Sequence, residues 1–279
     1  GSSLRYMDRI WQWAWDRYGP RYSWAMLAIG LPLLLLILGF ASFVVVAIER
    51  SDHYVEAAAV TVVAVVVLLY VQILPGIGTL RMAEQWATGV NVDRATALAA
   101  TYDWARQAVA RIVATNALIT ALQLVVVGAI AGARSLTLLQ YGILGAATGA
   151  AIQLISVHSY VETALRPMRI ALAADSGVGD SLPRARPSFA AWSNISVLAV
   201  AFAFAAAGVM LAAVIDGVRA APVLIVVIAG GLVLVLAVPI TVGTAFAPSM
   251  RPIHDLAEGT KRVAAGDYTK RLPVAQDDD

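Results

Sequence analysis

Six apolar runs, each long enough to cross a membrane as a helix, constrain the fold of this chain more than any other feature. A run of about 20 apolar residues crosses the ~30 Å hydrocarbon core of a bilayer as an α-helix. Apolar residues make up 60% of the sequence and charged residues 14%, a composition that few soluble domains share. The predicted spans are Trp24–Ile48, Val55–Leu74, Val109–Ala131, Leu136–Tyr160, Trp192–Ile215 and Pro222–Ala247. Barrel strands are shorter and alternate in polarity, so we predict an all-α membrane protein with six transmembrane helices arranged as three hairpins.

The distribution of positive charge predicts the orientation of these helices. The three short turns on one side hold only Arg50, Arg134 and Arg219, so 17 of the 20 Lys and Arg residues lie on the side of the two termini. Cytoplasmic segments are enriched in Lys and Arg. We therefore expect a multi-pass plasma-membrane protein with cytoplasmic N- and C-termini.

The segments on the predicted cytoplasmic side are long and are expected to extend the spans as helices. Asn91, Val92 and Asp93 form a predicted N-cap for a helix that runs through Leu98 and Tyr102 into the third span. The chain divides into an N-terminal helix (residues 1–23), the membrane domain (residues 24–247) and a cytoplasmic tail (residues 248–279).

The N-terminal segment is predicted to be an amphipathic helix. Its apolar residues recur at steps of three and four, at Leu4, Met7, Trp11, Ala14 and Tyr18. The cluster of Trp11, Trp13 and Trp15 is typical of a helix that lies in the membrane interface. We predict that this helix lies on the inner membrane surface; packing against the protein's own cytoplasmic helices is the alternative.

No motif in the sequence predicts catalysis. The chain has no cysteine, which excludes disulfides and thiolate chemistry. It also has no phosphate loop, no GxGxxG and no HExxH motif, and His53, His158 and His254 lie in different parts of the chain. We expect no catalytic, cofactor or metal site and no nucleic-acid partner within these residues.

Polar side chains inside predicted spans are costly in lipid and are therefore functional candidates. The candidate intramembrane polar site consists of Asn116, Gln123, Gln153, His158 and Glu162. It is interpreted either as a set of interhelical hydrogen bonds or as a pocket for a polar head group or a proton-sensitive contact.

Small residues predict close helix packing. Gly145 and Gly149 form a GxxxG pair in the fourth predicted span, and Gly128 and Gly132 form another at the end of the third. Such pairs let helix backbones approach closely. The sequence does not distinguish a face that packs within the chain from one that dimerises.

The tail carries a pattern typical of signal relays. Ile253, Leu256, Thr260 and Val263 alternate at steps of three and four, as in a coiled-coil seam. Gly266 is predicted to end this helix, and Leu272 and Val274 belong to an extended connector before three aspartates. Pro239, inside the sixth predicted span, favours a kink that would suit transmission; an ordinary membrane proline is the alternative.

This tail resembles the first half of a HAMP module, which joins membrane helices to an output domain. In that pattern a proline opens the first helix, a glycine ends it, and two apolar residues anchor the connector. The positions that fit are Pro252, Leu256, Gly266, Leu272, Val274 and the acidic pair Asp277 and Asp278.

Six spans with almost no outer domain ahead of such a module resemble the mycobacterial membrane-bound class III adenylate cyclases. The resemblance implies a homodimer whose C-terminal catalytic domain, absent from these residues, makes cyclic AMP from ATP with Mg²⁺ or Mn²⁺. The chain is thus predicted to be the sensor, regulatory and dimerising region of such a cyclase.

The expected input is membrane-borne, because no outer segment is large enough to enclose a water-soluble ligand. Membrane lipid, a fatty acid or another lipophilic ligand is the expected partner. Three alternatives stay open: the sensor region of a HAMP histidine kinase, a transporter or channel, and a simple dimerising anchor.

Overall fold

The structure of the protein, a computed structural model, is helical in every regular element that it describes. It describes residues 2–73, 77–173, 189–215, 223–232, 234 and 247–267. The helices are α1 (Ser2–Tyr18), α2 (Tyr22–Ile48), α3 (Tyr54–Ile73), α4 (Ile77–Ala87), α5 (Arg94–Ile130), α6 (Ser135–Ala173), α7 (Phe189–Val214), α8 (Val223–Leu232) and α9 (Ala247–Ala264), with a 3-10 turn at Gly19–Arg21 between α1 and α2.

Five helical segments are long and apolar enough to cross a membrane. They are Asp8–Ile48, Tyr54–Gln72, Arg94–Ile130, Ser135–Ala173 and Asn194–Val214. The first five predicted spans are thus helical, and an all-α protein with several helices of membrane-spanning length is confirmed for the described residues. Most of the sixth predicted span lies outside the described residues, with α8 as its main described part, so the sixth span and the three-hairpin arrangement stay predictions.

Two short turns fold the chain back on itself at one end of the bundle, which we call the outer end. Residues 49–53 join α2 to α3, and residues 131–134 join α5 to α6. Gly132 has a φ of 90°, a conformation that glycine adopts without steric cost. The Tyr141 hydroxyl of α6 donates to Glu49 at 2.5 Å, which ties the turn between α2 and α3 to α6.

The opposite end, called the inner end, carries helical extensions. With 37 residues, α5 is about 56 Å long, which exceeds the ~30 Å hydrocarbon core. It begins where predicted, because the Asp93 carboxylate accepts the Thr96 backbone N–H at 3.0 Å as an N-cap. The other helices at this end are α1, α4 and the last turns of α6.

Glycines bring α5 and α6 into backbone contact. A Cβ on Gly145 would lie 2.6 Å from the Thr120 carbonyl oxygen, and one on Gly149 would lie 2.8 Å from the Asn116 carbonyl oxygen. The GxxxG face that the sequence left unassigned therefore packs within the chain. A Cβ on Gly128 would likewise lie 2.7 Å from the Tyr141 ring.

One face of α1 packs against the protein itself. Trp11 is 1% exposed and meets the edges of the Tyr22 and Tyr160 rings. Trp13, by contrast, is 59% exposed. The Trp11 face of α1 thus packs against the protein's own helices, which was the alternative interpretation of the sequence. A position of α1 in the membrane interface stays a prediction.

Candidate functional site

A groove with a free volume of 170 Å³ runs along α2, between α6 and α7. Its α2 wall extends from Met26 to Ala41, a rise of about 22 Å. The upper part, towards the outer end, is lined by apolar side chains that include Leu34, Ile37 and Phe204. Such a surface suits an apolar chain.

Polar side chains line the lower part of the groove. Gln72 is 6% exposed, and its Nε2 has no hydrogen-bond partner among the residues that the structure describes. The indole Nε1 of Trp104 is also buried without a partner in that part of the chain. The Tyr160 hydroxyl is occupied, since it donates to the Met26 carbonyl oxygen.

Arg111 lies beside the polar part of the groove. Its Nη2 donates to the backbone carbonyl of Gln72 at 3.4 Å. This carbonyl belongs to the last turn of α3, where carbonyl groups lack helical partners. The Nε of Arg111 is buried and has no partner within the described ranges, so a cation with an unused donor stands next to Gln72.

Four of the five predicted polar residues have side chains that the structure describes, and these four have separate hydrogen-bonding surroundings. Gln123 joins three helices, because its Nε2 donates to the Ser42 hydroxyl at 2.7 Å and lies 3.4 Å from the Thr61 hydroxyl. Asn116 accepts from Thr120 on α5 at 2.8 Å. Gln123 therefore fits the first of the two interpretations of these polar residues, a set of hydrogen bonds between helices.

The other predicted polar residues have separate surroundings along α6. Gln153 is 6% exposed and lines the groove. Glu162 pairs with Arg169 about two turns further along the helix. The side chain of His158 lies outside the described residues.

The buried ion pair of Glu162 and Arg169 was missed by the sequence interpretation. Arg169 is 0% exposed, and its Nη1 lies 2.5 Å from the Glu162 carboxylate. It also donates to the Thr101 hydroxyl at 3.2 Å and stacks at 3.8 Å over the Tyr102 ring. The seven-residue spacing, which places both charges on one helix face, was the available signal.

The helix α9 is joined to α6 by an ion pair. The Arg166 Nη2 lies 2.7 Å from the Asp255 carboxylate, and both side chains are largely buried. Within the described part of the chain, three residues of the seam predicted on α9 are each more than half exposed: Ile253, Leu256 and Val263. Thr260 is exposed as well, and its hydroxyl donates to the Leu256 carbonyl at 2.8 Å.

The ends of α9 agree with the sequence prediction at one end only. Gly266, at a φ of 81°, terminates the helix as predicted, with the Asp267 N–H bonded to the Arg262 carbonyl at 3.0 Å. Pro252 was expected to open the helix, and this was wrong: α9 begins five residues earlier, at Ala247. A proline in the second turn removes one backbone hydrogen bond without ending the helix. Pro239, Leu272 and Val274 lie outside the described residues.

Comparison with known proteins adds no relative. No protein-family model matches the chain, and no curated protein and no solved structure matches it. The likeness to HAMP-linked cyclases therefore depends on the tail motif and the helical architecture. In the described part of the chain no group of three or more His, Cys, Asp or Glu side chains could hold a metal ion.

Proposed function

We propose that the chain is the membrane sensor and dimerising region of a receptor-type adenylate cyclase. In this proposal the membrane helices respond to a membrane-borne molecule and bias a HAMP relay that begins with α9. A catalytic domain further along the polypeptide then makes cyclic AMP from ATP with Mg²⁺ or Mn²⁺. The cyclase output is supported by the sequence resemblance, and the sensor role by the geometry of the groove and relay.

The contact between α6 and α9 is the observation that carries the proposal. The same helix lines the groove as far as Val161 and holds Asp255 through Arg166, five residues further on. Five residues correspond to about 7.5 Å of helix. In this proposal α6 is the common support: α7 packs on it at the groove, and the relay helix is attached to it a short distance further on.

The exposed seam of α9 supports pairing with a second copy of the chain. An apolar stripe on α9, left uncovered by the helices that the structure describes, consists of Ile253, Leu256 and Val263. A helix of 18 residues gains most of its stability from packing of such a stripe. A twin helix in a parallel bundle would bury it.

The signal follows from differences in affinity. A ligand shifts an equilibrium between two relay packings only when it binds the two states differently. The groove meets this requirement if its walls on α6 and α7 are spaced differently in the two states.

Replacing Leu256 by Asp in the complete protein tests the relay. A charge in the paired seam changes the balance of packings, so we expect a changed basal rate of cyclic AMP synthesis in isolated membranes. Lys261→Gln, on a different face of the same exposed helix, should leave the rate unchanged. An unchanged rate for Leu256→Asp, with normal membrane insertion, would contradict the relay.

The rival output is a histidine kinase behind the same relay. It predicts a dimerising helix with a phosphorylatable histidine after residue 279, whereas the cyclase predicts a catalytic domain there. The residues that follow in the complete polypeptide distinguish the two outputs.

A further inference from the structure

We propose that the groove between α2, α6 and α7 binds a single-chain amphiphile with a carboxylate head group, a long-chain fatty acid. Its head group accepts a hydrogen bond from the Gln72 side chain, close to the positive charge of Arg111. Its tail runs along α2 towards the outer end. The proposal names the input of the proposed sensor and rests on that function only for its signalling consequence. Binding can be measured without any output domain.

The unpaired polar atoms of the groove are hydrogen-bond donors. Among the lining residues, the Nε2 of Gln72 and the Nε1 of Trp104 lack partners in the described part of the chain. Arg111 is not part of the lining, but it donates to the Gln72 backbone carbonyl, and its Nε is unpaired among the same described residues. A buried donor without a partner costs about 1–3 kcal/mol, so a ligand that supplies an acceptor is favoured. A carboxylate supplies acceptors only, and its charge complements that of Arg111.

The height of Gln72 in the bundle matches a head-group position. The hydroxyls of Ser42 and Thr61, 2.8 Å apart, set the register of α2 and α3. Gln72 is eleven residues further along α3, about 16 Å towards the inner end. The outer turn after Ile48 lies about 9 Å above Ser42. Gln72 thus lies about 25 Å below that turn, near the inner boundary of a ~30 Å hydrocarbon core.

The remaining groove suits one apolar chain. From the level of Gln72, its α2 wall continues through Leu34 and Ile37 to Ala41. A cavity of about 150 Å³ holds one benzene-sized apolar molecule. A free volume of 170 Å³ is close to that value, so the groove encloses part of one acyl chain, and the rest of the chain extends along α2 into the surrounding lipid.

Binding of radiolabelled palmitate to the full 279-residue chain in phosphatidylcholine nanodiscs tests the proposal. We expect saturable binding above the phospholipid background. Ala207→Trp fills the groove from α7 and should weaken binding by about tenfold or more, as expected for an interaction worth ~1.4 kcal/mol or more. Ala205→Trp, on the exposed side of the same helix, is the matched control and should bind as the unchanged chain does.

The head group is tested by a second pair of variants. Gln72→Leu removes the donor and keeps an apolar side chain of similar size, so binding should weaken about two- to tenfold, the range for one hydrogen bond. Gln140→Leu, at an exposed position of α6, should have no effect. Methyl palmitate, which lacks the negative charge, should compete more weakly than palmitate.

Three results would overturn the proposal: no saturable palmitate binding, equal binding by the Ala207→Trp and Ala205→Trp chains, or methyl palmitate competing as well as palmitate. The first two reject the groove and the third rejects the carboxylate. None of them bears on the Leu256→Asp test. Conversely, saturable groove binding together with an unaffected Leu256→Asp output would reject the relay and leave the ligand site in place.

Discussion

The helices α5 and α6 and the helix α7 face the same groove but are held in place very differently. Backbones of α5 and α6 meet at Gly145 and Gly149, whereas Gly208 on α7 has no atom within 4 Å of a Cβ position among the described residues. In their most apolar windows, 39% of the residues of α5 are buried and 11% of those of α7. Among the described residues, the α6 wall of the groove is therefore held by close backbone packing and the α7 wall by fewer contacts.

This difference indicates which parts of the molecule can respond to a ligand. A tightly packed pair with buried polar links resists displacement, because opening it exposes atoms that lose close contacts. The Ser196 hydroxyl of α7 donates to the Leu154 carbonyl at 3.2 Å, and moving α7 breaks fewer close contacts within the described part of the chain. We infer that α5 and α6 serve as the fixed frame and that a ligand acts by positioning α7 and the relay against it.

The strongest test of the fixed frame removes the charge of Arg169. Arg169→Met leaves Glu162 buried without its partner, so the free energy of unfolding should fall by about 3–5 kcal/mol. Arg106→Met, which breaks the exposed pair with Asp103, should cost less than ~1 kcal/mol. Unfolding in mixed detergent micelles measures both.

The double variant Glu162→Leu and Arg169→Met sharpens this test. Replacing both charges by apolar side chains should restore most of the lost stability. Equal losses for Arg169→Met and Arg106→Met would mean that the buried pair does not secure the frame.

A substitution at a glycine compares the two walls directly. Gly145→Leu forces a side chain into the Thr120 backbone, so α5 and α6 must separate at a cost of about 1–3 kcal/mol. Gly208→Leu on α7 meets open space and should change stability by no more than ~0.5 kcal/mol. The same unfolding assay measures both variants; similar losses would show that α7 is packed as tightly as α6.

The smallest expected effect concerns the start of α5. Hydrogen bonds from the Thr96 hydroxyl and backbone N–H lower the pKa of Asp93. A lowered carboxyl pKa stabilises the folded state above the unfolded pKa, and the contribution disappears as pH falls through the folded pKa. Asp93→Ala should cause a small fall in melting temperature near pH 7, while Asp93→Asn should preserve the cap and lose the acid dependence. A fall in melting temperature for Asn equal to that for Ala would contradict the cap.

The sequence predicts the parts of this fold that are determined locally. Apolar runs of bilayer length predicted the first five spans, and Asp93 and Gly266 marked helix ends because caps and terminal turns depend on neighbouring residues. The prediction from Pro252 was wrong because it used the same kind of local signal. A proline is common in the first turn of a helix, but here the helix already includes the residues from Ala247 onwards.

Contacts between distant segments were not predictable. Gly145 and Gly149 indicate close packing but carry no mark of their partner, so their contact with α5 was invisible. Arg166 and Asp255 are 89 residues apart. The sequence contains many Arg and Asp residues and carries no signal that these two form an ion pair. Gln72 was not singled out by the sequence, and its contact with Arg111 is seen only in the structure.

Crosslinking of the α9 seam tests the coupling between groove and relay most directly. The chain has no cysteine, so Leu256→Cys and Lys261→Cys each introduce one thiol. We predict that Leu256→Cys joins two copies in native membranes far faster than Lys261→Cys. Palmitate should change that rate by about fivefold or more, the lower end of typical couplings between sites, and Ala207→Trp should abolish the change. Equal crosslinking at the two positions, or a rate that palmitate leaves unchanged, would contradict the account.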